Sequence, residues 1–119
     1  MRDHCKLRAF QLADELAVAV YRATRLFPKE ELFGLTAQMR RAAVSVPSNI
    51  AEGCGRRTKA DYLRFLDIAF GSFRELEYQI SLAHRLGYLD TDGHELLQPR
   101  CTETSKVLAA LIRSLQGEP

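Results

Sequence analysis

Apolar residues recur at helical spacing along nearly the whole chain, in four separate runs. The first covers about residues 5–27, where Phe10, Ala13, Leu16, Ala17, Val20, Ala23 and Phe27 share a face. Within it the block LAVAVY, residues 16–21, is apolar on every side. A helix on the rim of a lone chain carries a polar face there, so this helix is expected to be covered on more than one side. Pro28 ends the run, and Glu30 and Glu31 suit the first turn of a short helical piece before Gly34.

The second run starts near Thr36, a suitable N-cap, and carries Leu35, Met39, Ala42, Ala43, Val46 and Ile50 before ending around GCG, residues 53–55. Pro47 lies inside it. Having no N–H, Pro47 deprives the Ala43 carbonyl of its helical partner and is expected to bend the helix. Ser45, Ser48 and Asn49 are the short polar side chains available to re-satisfy that turn. Glu52 stands four residues before Arg56, the spacing of a helical ion pair.

The third run opens on Thr58 with Asp61, close to a capping box. Tyr62, Leu66, Ala69, Phe73, Leu76, Ile80, Ala83 and Gly87 then step by four and three, the seam of a heptad pattern. Leu63, Phe70 and Leu82 widen it. Gly71 and Ser72 are small residues in mid-helix, where a second backbone can come close, and Gly87 ends the helix. The fourth run follows Asp92 and Glu95, read as another capping pair, and carries Leu97, Cys101, Thr104, Leu108, Leu111 and Leu115. Pro99 interrupts it, so a kink or a short separate first piece is expected. Four helices with short connections and no strand pattern predict an all-α fold. It is a single domain over residues 1–119, an antiparallel up-down four-helix bundle with its second helix kinked at Pro47.

Composition narrows the function classes. No run approaches the roughly eighteen apolar residues of a membrane span. Asp14 and Glu15 stand where a signal peptide has its apolar core, so a cytoplasmic protein without membrane contact is expected. Cys5, Cys54 and Cys101 are odd in number and far apart, which argues against a disulfide framework and a paired-cysteine metal site. His4, His84 and His94 form no HExxH or Glu-x-x-His pair, and the seams are apolar, so no metal site and no cofactor are expected. DTDGHELLQPRC has its glycine too early for a calcium loop and reads as a turn plus a cap.

Charge is distributed unevenly although the net value is only +2. Residues 36–64 hold six basic and two acidic residues, whereas residues 65–119 hold five basic and eight acidic ones. A basic middle of this kind is either a polyanion-binding face or a solvated helix surface. In GCGRRTK, two glycines ahead of a helix can form an anion nest, and Arg56, Arg57 and Lys59 can each meet a phosphate. A Walker loop needs another spacing and a preceding strand. With no Trp and no basic–aromatic alternation, binding led by shape or charge is expected. Cys54 lies near Arg56 and Arg57, yet no histidine is close in sequence to act as its base, and a small residue at a crowded helix end is the simpler reading. Glu75 and Glu77, two apart on a helix, do not face each other.

Residues 35–89, above all QMRRAAVSVPSNIAEG and YLRFLDIAFGSFRELE, closely resemble the bacterial four-helix-bundle proteins encoded in 23S rRNA intervening sequences. That family is in turn similar to the accessory proteins of diversity-generating retroelements. The resemblance implies a four-helix bundle and a homopentamer with a basic surface. The accessory proteins bind a reverse transcriptase and its template RNA, and the resemblance carries over no catalytic residue. The leading expectation is therefore a non-enzymatic, homo-oligomeric adaptor that contacts RNA or DNA through Arg40, Arg41, Arg56, Arg57 and Lys59. The alternatives are a scaffold that binds only protein, such as a reverse transcriptase or another element-encoded partner, and a small enzyme using Cys54.

Overall fold

The computed structural model of the chain describes residues 2–117. Four α-helices follow one another: α1 (Arg8–Thr24), α2 (Leu35–Cys54), α3 (Lys59–Arg85) and α4 (Thr91–Gln116). Short 3-10 turns, His4–Lys6 and Lys29–Glu31, precede α1 and α2. α1 packs on α2 and α4, and α3 packs on the same two, so the helices close a ring around one core. The short α2–α3 and α3–α4 connections force consecutive helices to run antiparallel, giving the expected four-helix bundle.

The apolar stripes meet in that core. Leu66, Ala69, Phe73, Leu76 and Ala83 of α3 are fully buried, as are Met39 and Ile50 of α2, Val20 of α1, and Leu97 and Leu108 of α4. Each buried Leu, Ile or Phe contributes about 1.5–3 kcal/mol, so the α3 seam is the main weld of the fold. Its ends are set by local chemistry. Thr58 Oγ1 accepts from the Asp61 amide at 3.1 Å, which caps the N-terminus as its sequence predicts. At the other end Gly87 adopts φ +78, and the Tyr88 and Gly87 amides donate to the Ala83 and His84 carbonyls. This is a complete Schellman stop, and a side chain at Gly87 would strain it.

Two helix starts differ from the sequence expectation. α2 is capped at Gly34, not Thr36; the Glu31 carboxylate, delivered by the preceding 3-10 turn, accepts from the Leu35 amide at 3.1 Å. Thr36 is instead buried in the first turn. α4 begins at an Asp90 cap, whose side chain accepts from the Gly93 amide at 2.7 Å, two residues before the expected pair. Of the two outcomes expected at Pro99, the short separate piece does not occur, since α4 runs through it as one helix. Pro99 and Glu95, whose carbonyl loses its helical partner, both lie on the exposed side of α4. At Pro47, both donors of the Asn49 side-chain amide go to Ser45, to its carbonyl at 2.8 Å and its hydroxyl at 3.0 Å, and not to Ala43. The Ser45 hydroxyl crosses to Ser72 of α3 at 2.8 Å, so this turn also ties the two helices together.

Candidate nucleic-acid interface

The basic residues singled out in the sequence separate into two places. Arg40 and Arg41 lie on α2, and Arg56 and Arg57 lie past its C-terminus, with Lys59 opening α3. From Arg40 to Cys54 at the helix end the rise is about 21 Å at 1.5 Å per residue. The two groups thus stand apart along α2.

The joint between α2 and α3 is built around Gly53. A Cβ there would lie 3.0 Å from the Phe65 Cβ and 3.1 Å from the Tyr62 ring, so glycine lets α3 close onto α2. The closeness buries Cys54, whose Sγ faces the Tyr62 hydroxyl at 3.9 Å. Burial pushes the Cys54 thiol up and lifts the Tyr62 phenol to about 12, with the Cys54 contact adding to the latter. A thiol held protonated is a poor nucleophile, and Cys54 is buried at this joint.

The nest that GCG can form does not draw on the Gly55 and Arg56 amides. The Gly55 amide donates to the Glu52 carbonyl at 3.1 Å and the Arg56 amide to the Gly53 carbonyl at 3.0 Å, so both are spent inside the turn. The basic side chains at this end offer an anion further contacts. Those are arranged on aromatic platforms: the Arg56 and Arg64 guanidinium groups each lie 4.6 Å from the Phe65 ring centre, and that of Arg2 lies 4.1 Å from the Tyr62 ring centre. Arg2 also donates to the Arg56 carbonyl at 3.0 Å. Arg2, Gly55, Arg56 and Arg57 line an open cleft of about 600 Å³. The ion pairs Arg56–Glu52 at 3.4 Å and Arg64–Asp61 at 3.8 Å are exposed, so they hold these cations only weakly.

Sequence reasoning missed Arg2 and Arg64. Arg64 carried a signal, since it belongs to the basic middle segment. Arg2 carried none, because only the fold brings it across 54 positions to Arg56.

Arg40 is used differently. Its Nε donates to Thr24 Oγ1 at 2.9 Å and its guanidinium lies 4.9 Å from the Tyr21 ring centre, which pins α2 to α1. Arg40 and Arg41 border a groove of about 760 Å³ floored by Tyr21, Leu32, Phe33, Ala37 and Val44. Phe33 is 92% exposed, and Val18 and Tyr21 of the LAVAVY block are exposed as well. The chain alone therefore covers helix α1 on only part of its surface.

A family model described as 23S rRNA-intervening sequence protein matches residues 5–110. The chain belongs to that family. Among solved structures it is similar to a protein of unknown function from the S23 ribosomal protein family of Bacteroides thetaiotaomicron, with a TM-score of 0.80 and 26% identity. The match covers 88% of this chain and 95% of that one, so the bundle of this family member is shared almost end to end. No curated protein matches the chain. Among the described residues of the family member, no helix is long and apolar enough to cross a membrane.

Proposed function

We propose that the protein is a non-catalytic, homo-oligomeric helical adaptor that binds structured RNA through the basic end of its bundle. The observation that carries this reading is the convergence of Arg2, Arg56 and Arg57 on one open cleft, with Arg64 stacked on the same ring as Arg56. Rings that hold guanidinium planes leave their N–H edges for phosphate, and Lys59 at the entrance to α3 adds a further cation. The non-catalytic part of this reading rests on the resemblance, which carries over no catalytic residue.

Self-association rests on the apolar groove beside Arg40 and Arg41, which takes a second copy of this chain. Exposed, contiguous aromatic surface of this kind marks an interaction site. The groove also includes Ser45, whose hydroxyl reaches Ser72, one turn from the exposed Ile68 and beside Gly71. The apolar face thus continues onto α3. A pentamer is the assembly that the resemblance implies. A protein-only scaffold is the second reading, and the same groove favours it: an element-encoded protein such as a reverse transcriptase then replaces the second copy.

Low-salt gel shifts with a structured RNA test the leading reading. Binding is expected for the native chain and a loss for Arg56→Glu/Arg57→Glu. Binding unaffected by that reversal contradicts it, and co-purification of a protein free of nuclease-sensitive material favours the scaffold.

A further inference from the structure

We infer that Asp3, His4 and Cys5 form a zinc site at the start of the chain, independent of whether the basic cleft takes RNA. The ligand atoms of these three residues all lie within 4.8 Å of one another. His4 Nε2 and Cys5 Sγ are 3.5 Å apart. With bonds of about 2.3 Å to sulfur and 2.0–2.1 Å to nitrogen, two ligands on a tetrahedral zinc stand about 3.5 Å from each other. The imidazole and the thiol are thus already spaced as adjacent zinc ligands. Asp3 supplies the third donor: one carboxylate oxygen accepts from the Cys5 amide at 3.1 Å. The fourth position falls to water, as in open three-ligand zinc sites.

The segment is held in place rather than trailing. The Gln11 side chain donates to the Cys5 carbonyl at 3.0 Å, the His4 ring meets Phe10 edge-on at 4.7 Å, and Arg2 is anchored on Tyr62 and the Arg56 carbonyl. Ordering the donors beforehand reduces the entropy that binding must overcome. A thiolate, an imidazole and a carboxylate select a borderline transition ion such as zinc over magnesium or calcium. Binding releases the Cys5 proton to solvent. Cys5 suits the task because it is exposed, whereas Cys54 and Cys101 are buried. The rules that govern metal sites inside a bundle do not reach this cluster, which sits outside the core.

The test is a Co²⁺ and Zn²⁺ titration of the full chain without a polyhistidine tag. Wild-type protein is expected to take one equivalent of Co²⁺ per chain, with a near-ultraviolet thiolate-to-cobalt band that Zn²⁺ abolishes. Cys5→Ser is expected to remove the band, and His4→Gln to weaken Zn²⁺ binding, measured against a chromophoric chelator, by at least about tenfold. Both side chains lie at the surface, and unchanged helical circular dichroism verifies that the variants fold. Stoichiometric zinc is also expected to protect Cys5 from alkylation. Absence of the cobalt band in the wild type, or binding that survives Cys5→Ser, overturns the proposal.

Discussion

Gly53 and Phe65 meet where α2 and α3 cross, so tightly that a methyl group on Gly53 would stand 3.0 Å from the Phe65 Cβ. Both neighbours at this point, Phe65 and Tyr62, are also the rings under Arg56, Arg64 and Arg2. Gly53→Ala is therefore expected to destabilise the fold by about 1–3 kcal/mol through overpacking. Gly55 has ordinary clearance, 3.5 Å to the Glu52 carbonyl, and a right-handed backbone. Gly55→Ala is expected to be neutral or stabilising by up to about 1 kcal/mol. Urea denaturation of the two variants checks the contrast, and equal effects contradict it.

The buried thiols predict a pH dependence. Burial raises the Cys101 thiol from 9.0 to about 12, and Cys54 moves the same way. A group raised on folding contributes stability that is fully present below its unfolded value and lost as pH rises through its folded value. Stability is thus expected to fall between about pH 9 and 12. In the native state at pH 8, iodoacetamide is expected to modify Cys5 well before Cys54 or Cys101. A stability that is flat or rising in the alkaline range, or early labelling of Cys101, contradicts this account.

Thr36 is buried and its hydroxyl has no hydrogen-bond partner among the described residues. Replacing it with the similarly shaped valine removes an unsatisfied polar group, so Thr36→Val is expected to stabilise the protein by about 1 kcal/mol. A shift of the urea midpoint to higher concentration at constant slope is the expected readout, and a downward shift contradicts it.

Self-association is tested by light scattering. The native chain is expected at a multiple of its 13.5 kDa mass at micromolar concentration, and Phe33→Asp is expected to reduce that mass. Gly71 offers a second check, because a Cβ added there meets nothing within 4 Å among the described residues of the single chain. In the Phe33→Asp background, Gly71→Ala is expected to stabilise by up to about 1 kcal/mol through helix propensity. In the native background it is expected to weaken assembly. A native chain of monomeric mass contradicts the reading.

The bundle was legible because its α3 seam repeats without a break, and the Thr58 cap and Gly87 stop use residue types with one dominant local use. The α2 start was misplaced because its cap comes from Glu31, a partner supplied by the preceding turn rather than by the capping position itself. Pro99 does not split α4 into two pieces, and a sequence does not show which side of a helix faces water. At the basic end, the chemistry of Arg56 and Arg57 was visible, whereas the turn's own use of the Gly55 and Arg56 amides was not. Arg2 and the Asp3–His4–Cys5 cluster depend on how the chain start folds back, which no local pattern encodes.

Fluorescence anisotropy of a labelled structured RNA, titrated with the native chain at several salt concentrations, tests the central claim most directly. Phosphate-led binding predicts a linear fall of log K with log salt, and Arg56→Glu/Arg57→Glu is expected to make that slope shallower by about two per chain. An affinity independent of salt, or the same slope in the charge-reversed variant, contradicts an RNA-binding role for this end of the bundle.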